Sequence, residues 1–378
     1  MSDYLSEELV GEILKRLPVK SLLKCRSVCK SWYSVIANPK FISLHLAHTT
    51  EANKIYYLVM TECISDEPHF VLYNDNDSFS EFKRLDLHSF HERGNDHFLS
   101  YFKFVGSCHG LVCYSIPKFE RLIVWNPSIA EFITASLSKL SDGLEEIVGF
   151  GFDRKNDDYK FVRIIFSVQD ATSPPVAEIF QLGSNSWKTV TVKNVDRDVY
   201  GFESCVELNG VIHWFAKIHN GQRKGIASLD LSNEASQELM LPHALAELRY
   251  GDRCSLKVYN QLSAAIHYAE FSMKQLCYFR CSIWVMKEYG AAESWTKQFT
   301  IDFKNHGGIT SVLSLQGNGR ILMEVPHNLL ATYDPQTERV TPLGIYGLPY
   351  LRVYSYVESL VLLKGKSNNK KVEASIEG

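Results

Sequence analysis

The sequence predicts an α+β multidomain chain: a small all-α unit followed by an all-β propeller of about six blades. Three observations carry that prediction. Apolar residues recur at helical spacing only between Met1 and Leu46. From Lys54 onward, short runs rich in β-branched and aromatic residues alternate with clusters of Gly, Asn, Asp and Ser. Within that second stretch one strand, turn and strand unit returns six times.

The helical stretch is densest from Leu5 to Ile36. Ser6 stands where an N-cap belongs, with Glu7 and Glu8 in the first turn, where negative charge suits the helix dipole. Leu9, Ile13, Leu14 and Leu17 then form one apolar face, and Pro18 stops the helix. A second helix is expected over Val19 to Cys29 with Leu22, Leu23 and Val28 inward, and a third over Lys30 to Ala37 with Trp32 and Ile36. Asn38 and Pro39 read as a cap followed by proline at the first helical position of a short fourth helix bearing Phe41, Leu44 and Leu46. A unit this small is near the lower limit for a self-sufficient core. Its apolar residues point in more directions than it can bury, so it reads as half of an interface.

Between Lys54 and Lys364 the recurring hairpins are anchored on Asn74, Asn126, Asn185, Asp230, Tyr289 and Asp334, at intervals of 52, 59, 45, 59 and 45 residues. That is the blade length of a kelch-like propeller, with each hairpin as the outer strand pair of a four-stranded blade. Gly110 to Tyr114, Glu146 to Phe152, Val206 to Phe215 and Ser311 to Met323 are candidates for the inner strands. Pairing of the Lys54 region with Glu358 to Leu363 would close the ring and hide its edges. Residues 366–378, KSNNKKVEASIEG, are polar and read as a disordered tail.

The composition is 45% hydrophobic and 22% charged, with a net charge of -3, which gives no reason to expect nucleic acid or an acidic membrane as the main ligand. The N-terminus is acidic where a signal peptide would be basic, and no apolar run approaches a membrane span. Nine cysteines without framework spacing fit reduced thiols, so a cytoplasmic or nuclear protein is expected.

Leu17, Pro18, Val19, Lys20, Ser21 and Leu22, followed by Val28, Cys29, Lys30, Ser31 and Trp32, are similar to the F-box, the helical motif by which substrate receptors dock on the Skp adaptor of cullin-RING ubiquitin ligases. The likeness spans about forty residues of residues 1–46. It implies that Leu5, Leu9, Ile13, Leu17, Pro18, Leu22, Val28 and Trp32 serve adaptor contact or the packing behind it. One departure is visible: the family places proline after its first leucine, and here Leu5 is followed by Ser6.

The remainder, residues 54–364, also carries a resemblance. SCHGLVCY at Ser107, IVWNPS at Ile123, GFGFDRKNDDYKFVRI at Gly149, EIFQLGSNSWKTV at Glu178, LNGVIHWFA at Leu208, IASLDLSNE at Ile226 and WVMKEYGAAESWTKQFTI at Trp284 look like the F-box-associated domain. That domain belongs to plant F-box proteins, a group named for kelch repeats that includes immune regulators and the S-locus F-box proteins. The resemblance implies the substrate receptor of an SCF-type ubiquitin ligase, partnered by a Skp adaptor and through it by cullin and RING subunits. It does not imply which protein is captured.

Other residues invite sharper readings beside plainer ones. Cys108, His109 and Cys113 could be taken for a zinc cluster, but period two in a strand would put the thiols on opposite faces. DRKNDDYK, with Asp153, Asp157 and Asp158, alternates sign as a solvated hairpin loop does. His213 and Trp214 fit a blade core. No phosphate loop, nucleophile elbow or zinc-protease helix is present, and no catalytic residue, metal or cofactor is expected. Candidate target-binding loops are His88 to Ser100, with His91, Arg93 and His97, and Pro242 to Asp252, with Arg249 and Tyr250; Val168 to Val176 is a third. The histidine-rich loop admits metal or pH sensing as well as plain solvation. Two rival functions stand beside the receptor: a non-ligase scaffold built on the propeller, and a propeller enzyme of the galactose-oxidase kind, for which no copper set can be assembled.

Overall fold

The computed structural model describes residues 6–51, 56–61, 69–76, 79–85, 103–138, 144–167, 173–192, 195–197, 205–218, 223–247, 252–347 and 353–362. Four helices come first: α1 (Glu7–Leu14), α2 (Val19–Cys25), α3 (Lys30–Ile36) and α4 (Pro39–Glu51). Ser6 Oγ accepts from the Leu9 amide at 3.3 Å, and Asn38 Oδ1 accepts from the Lys40 amide at 2.9 Å. Each satisfies an amide that a helix start leaves bare. Two expectations shift here. α2 stops at Cys25 because Ser27 and Val28 turn back in short-range bonds to Lys24 and Cys25. Val28, expected inward, is therefore 64% exposed. The fourth helix is not short but continues to Glu51.

Six antiparallel sheets follow, and each is one blade. Blade 1 holds β1 (Tyr56–Thr61), β2 (His69–Asn74) and β3 (Glu81–Leu85). Blade 2 is β4 (Lys103–Cys108), β5 (Leu111–Ile116), β6 (Arg121–Asn126) and β7 (Glu131–Ser136). Blade 3 is β8 (Leu144–Asp153), β9 (Asp158–Ser167), β10 (Val176–Gln181) and β11 (Ser186–Thr191). Blade 4 is β12 (Val195–Arg197), β13 (Val206–Leu208), β14 (Val211–Ile218), β15 (Arg223–Asp230) and β16 (Ser236–Met240), with β12 and β13 sharing the inner place against β14. Blade 5 is β17 (Arg253–Tyr259), β18 (Leu262–Ser272), β19 (Cys277–Met286) and β20 (Trp295–Asp302). Blade 6 is β21 (Ser311–Leu315), β22 (Ile321–Val325), β23 (Leu329–Asp334) and β24 (Arg339–Tyr346).

β25 (Val353–Tyr356) returns to blade 1 and pairs with β1, Tyr356 opposite Tyr56 and Val353 opposite Val59. The ring thus closes one turn earlier in the chain than Glu358 to Leu363, which is left free for another task.

All six expected hairpins are outer strand pairs. Their recurrence has a local cause. The side chains of Asn126, Asp230 and Asp334 accept from the amides two residues on, Ser128, Ser232 and Gln336. The residue four on, Ala130, Glu234 or Glu338, then takes a positive φ. In blade 3 that positive-φ place belongs to Asn185, so the true anchor is Gln181. With this register, the intervals from Asn74 through Asn126 and Gln181 to Asp230 even out to 52, 55 and 49 residues.

Six apolar clusters fill the six junctions between blades. Trp214 lies fully inside the junction of blades 3 and 4, and Tyr268 inside that of blades 5 and 6. Two readings are corrected at these junctions. Cys108 and Cys113 are not on opposite faces: the two-residue turn His109-Gly110, both at positive φ, reverses the chain between them. Both thiols enter the core between blades 2 and 3, and burial pushes both well above the ordinary thiol range.

DRKNDDYK is not wholly solvated either. Asp153 and Lys160 are buried and lie 2.7 Å apart, and Lys160 also reaches Glu234 of blade 4 at 3.0 Å, which in turn pairs with Lys188. A partner more than seventy residues away accounts for the burial of this charge.

Closure also decides where the helices sit. β1 begins and β25 ends on one face of the ring, which carries the third-to-fourth strand turns of every blade and the first-to-second turns of blades 2 to 6. The helices dock there: Ile129, in the β6–β7 turn, packs against their core. We call this the helical face. The opposite, distal face carries the second-to-third turns and the connections between blades.

Candidate functional site

Two surfaces stand out, one at each end of the molecule. In the helical unit, Leu14, Val19, Leu22, Ile36 and Phe41 are buried, and the sixth buried member of their cluster is Leu360, from beyond the last strand. Leu17 and Trp32 pack partly buried against it. With that core complete, Leu9, Ile13, Val28 and Leu44 remain more than half exposed, and Pro18 is exposed at the start of α2. Leu9 and Ile13 are four apart on α1 and so share a face. Of the eight residues singled out in the sequence, the structure gathers Leu17, Leu22 and Trp32 into the core and leaves Leu9, Ile13, Pro18 and Val28 outward. Leu5 lies outside the described residues.

Leu360 is delivered by a clasp. Asn126, fully buried at the end of β6, donates from Nδ2 to the carbonyls of Ser359 at 3.0 Å and Val361 at 2.7 Å. Ser128 Oγ and Tyr356 Oη lie 2.6 Å apart just before it. Gly110 lets the segment pass closely: a Cβ there would lie 2.4 Å from Ser359 Oγ and 2.6 Å from the Val357 carbonyl. The sequence reading missed Leu360. Its apolar run, SLVLL, was read as part of the segment that closes the ring, a place that β25 takes instead.

The second surface is the central channel, a cavity of about 830 Å³ lined by the inner strands of all six blades. It reaches the distal face, where the β18–β19 and β22–β23 turns form part of its wall. Its carboxyls are the buried Glu324, to which Ser311 Oγ donates at 3.2 Å, and the partly buried Glu207, which accepts from the Gly210 amide at 2.6 Å. Burial pushes both upward from the ordinary carboxylate range, opposed by those hydrogen bonds and by Arg253 for Glu324 and Arg154 for Glu207. The cavity therefore has the size of a ligand or side-chain pocket with a few placed polar groups.

The other expected residues fall as follows. His91, Arg93, His97, Arg249 and Tyr250 lie outside the described residues. The strands on either side of both connections, β3 and β4, and β16 and β17, end and begin on the distal face. His213 is a buried blade residue, its Nε2 2.8 Å from Tyr289 Oη of blade 5, and burial lowers it to about 4. Among the described residues no group of three or more His, Cys, Asp or Glu side chains could hold a metal ion, and no helix is long and apolar enough to cross a membrane.

The comparisons with known proteins agree with this division. Residues 3–44 match the model of the F-box domain, and residues 76–362 match that of the F-box associated beta propeller domain. The chain belongs to the F-box-associated propeller family. F-box/kelch-repeat protein At3g23880 of Arabidopsis thaliana is 29% identical over 78% of this chain and 78% of its own length. F-box protein CPR1 of the same plant is 26% identical over 96% of this chain and 90% of its own. Among solved structures, a chain of a nidogen/laminin complex aligns with a TM-score of 0.43 and 10% identity over 81% of this chain and 99% of that one, too loosely to carry any argument. In this F-box protein the helical unit is thus the F-box, and the clasp joins it to its own propeller.

Proposed function

We propose that this F-box protein is the substrate-recognition subunit of an SCF-type cullin-RING E3 ubiquitin ligase, working in the cytosol or nucleus. The carrying observation is the outward set of Leu9, Ile13, Val28 and Leu44 on a helical unit whose own core is already filled. A filled core has no further use for them, and a Skp-type adaptor does. Burying each would contribute about 1.5 to 3 kcal/mol. Pro18, Leu17 and Trp32 shape the ridge behind that surface. The adaptor in turn holds the cullin and RING subunits, and the distal face, away from the dock, receives the protein to be modified.

The receptor contributes proximity rather than bond chemistry: it raises the effective concentration of a target lysine near a charged ubiquitin carrier. Co-expression with a Skp-type adaptor, a cullin and a RING subunit tests this. The expected result is one assembly on gel filtration containing all four chains. Elution of this chain apart from the adaptor would end the ligase reading.

A further inference from the structure

Blade 5 has the longest second-to-third strand hairpin among the described residues: β18 runs to 11 residues and β19 to 10. The two stay paired as far as Ser272 and Cys277. Their neighbours stop sooner, β17 at Arg253 opposite Tyr268 and β20 at Asp302 opposite Arg280. The hairpin therefore overhangs β17 by four residues, roughly 13 Å at the rise of a strand, while residues 303–309 cover its β19 edge as far as Cys277.

The overhang is braced at its root. Glu270 pairs with Arg280 at 2.7 Å and with Lys304 at 2.9 Å, and Tyr278 and Ile309 exchange backbone hydrogen bonds. At its tip Ser272 Oγ accepts from the Gln275 amide at 3.3 Å, yet the turn also carries exposed apolar side chains. Met273 is 80% exposed, Leu276 69%, and Phe271 is exposed beside them. Leu276 also holds a φ of +53°, a left-handed conformation that costs a leucine about 1 kcal/mol or more and a glycine nothing. An exposed leucine kept at a strained position points to use in binding.

Charge adds a second, independent observation. Lys274 and Leu276 of the tip line the channel together with Arg253 and Lys257 of β17. Lys274 stands on the tip itself and Arg253 opens β17 on the distal face, so two cationic side chains lie beside the apolar turn.

We propose that the captured protein docks on the β18–β19 tip through an apolar segment flanked by aspartate or glutamate. Its apolar side chains meet Met273, Leu276 and Phe271, and its carboxylates face Lys274 and Arg253. An apolar tip beside two cationic side chains selects for that pairing and disfavours basic segments. The proposal rests on the receptor reading and names the face and chemistry of the target.

A random peptide library displayed on phage and selected against the immobilised full chain tests it. The selected peptides should combine Leu, Phe or Trp with Asp or Glu. They should bind a Met273→Asp, Leu276→Asp variant about tenfold more weakly or worse, and a Lys274→Glu variant several-fold more weakly. Both variants alter exposed side chains, and aspartate tolerates the left-handed site. Selection of peptides without acidic residues, binding unchanged in both variants, or no enrichment at all would each overturn the proposal. Adaptor capture is measured on the same preparations and should be unchanged. Loss of peptide selection with capture intact removes the tip proposal alone, whereas failed capture by the wild type removes the receptor reading.

Discussion

Asn126 Nδ2 lies 2.7 Å from the carbonyl oxygen of Val361, and between these two residues' points of contact the chain turns Leu360 into the core of the F-box. The F-box is therefore completed by a residue more than three hundred positions downstream of α4, available only once β25 has closed the ring.

Replacement of Leu360 by alanine should destabilise the F-box by about 2 to 5 kcal/mol, the range for a large-to-small change in a packed core. Asn126→Ala should cost about 1 to 3 kcal/mol by leaving buried carbonyls of Ser359 and Val361 without a donor. Hydrogen exchange followed by mass spectrometry checks both: α1 to α4 should exchange faster while β17 to β20 keep their protection. Equal loss of protection in blade 5 would mean that the clasp serves the ring and not the F-box.

Gly110→Ala should act through the same clasp. The new Cβ would overlap Ser359 and would also sit at a φ of +78°, so two penalties combine. The expected outcome is a lower Tm with F-box exchange rates raised as for Leu360→Ala. A Tm equal to that of the wild type would show that the segment can step aside.

The buried pair of Asp153 and Lys160 should matter across a wide pH range. Burial disfavours the Asp153 carboxylate, but hydrogen bonds from Lys160 and Asn156 outweigh it and hold the carboxyl below its usual range. A depressed carboxyl stabilises fully above its unfolded value, about 3.9, and that contribution is lost as pH falls toward the folded value. Burial likewise opposes the Lys160 ammonium, yet Asp153 and Glu234 raise it, so its contribution is present below about 10.4 and is lost as pH rises further. Lys160→Met, which strands Asp153, should cost about 3 to 5 kcal/mol at pH 7 by urea unfolding. A change below 1 kcal/mol would show that Asp153 finds water or another donor.

His213 adds a slope nearer neutrality with the same sign as that of Asp153. Burial lowers its folded value to about 4, so the unfolded chain takes up a proton near pH 6.5 that the folded chain refuses. Stability from this group is full above pH 6.5 and declines as pH falls toward 4, by on the order of 2 kcal/mol between pH 7 and pH 5. His213→Gln should flatten that part of the urea-midpoint profile. An unchanged profile would assign the slope to other groups.

How far the sequence revealed these features depends on whether their cause is local. The outer hairpins were legible because turns such as those at Asn126, Asp230 and Asp334 are written in neighbouring residues, each side chain bonding to an amide two residues on. The F-box helices were legible through their caps and the spacing of Leu9, Ile13 and Leu17. What escaped depends on distant partners. Leu360 looks like part of the ring-closing segment until β25 takes that place, and Lys160 looks solvated until Glu234 arrives from the next blade. Val28 escaped for a local reason, a helix that stops four residues early without a glycine or proline to announce it. On the distal face, the sequence reading passed over FSMKQLC, whose Met273 and Leu276 are exposed apolar residues between two strands.

The most direct test of the account is the affinity of the purified chain for a Skp-type adaptor, measured by calorimetry for the wild type and for Leu9→Asp with Ile13→Asp. Both side chains are exposed, so the variant should unfold at the wild-type Tm while binding weakens about a hundredfold or more, the loss of roughly 3 kcal/mol or greater for two buried apolar side chains. Equal affinity for both proteins, or no binding by the wild type, would contradict the assignment of this surface as the dock.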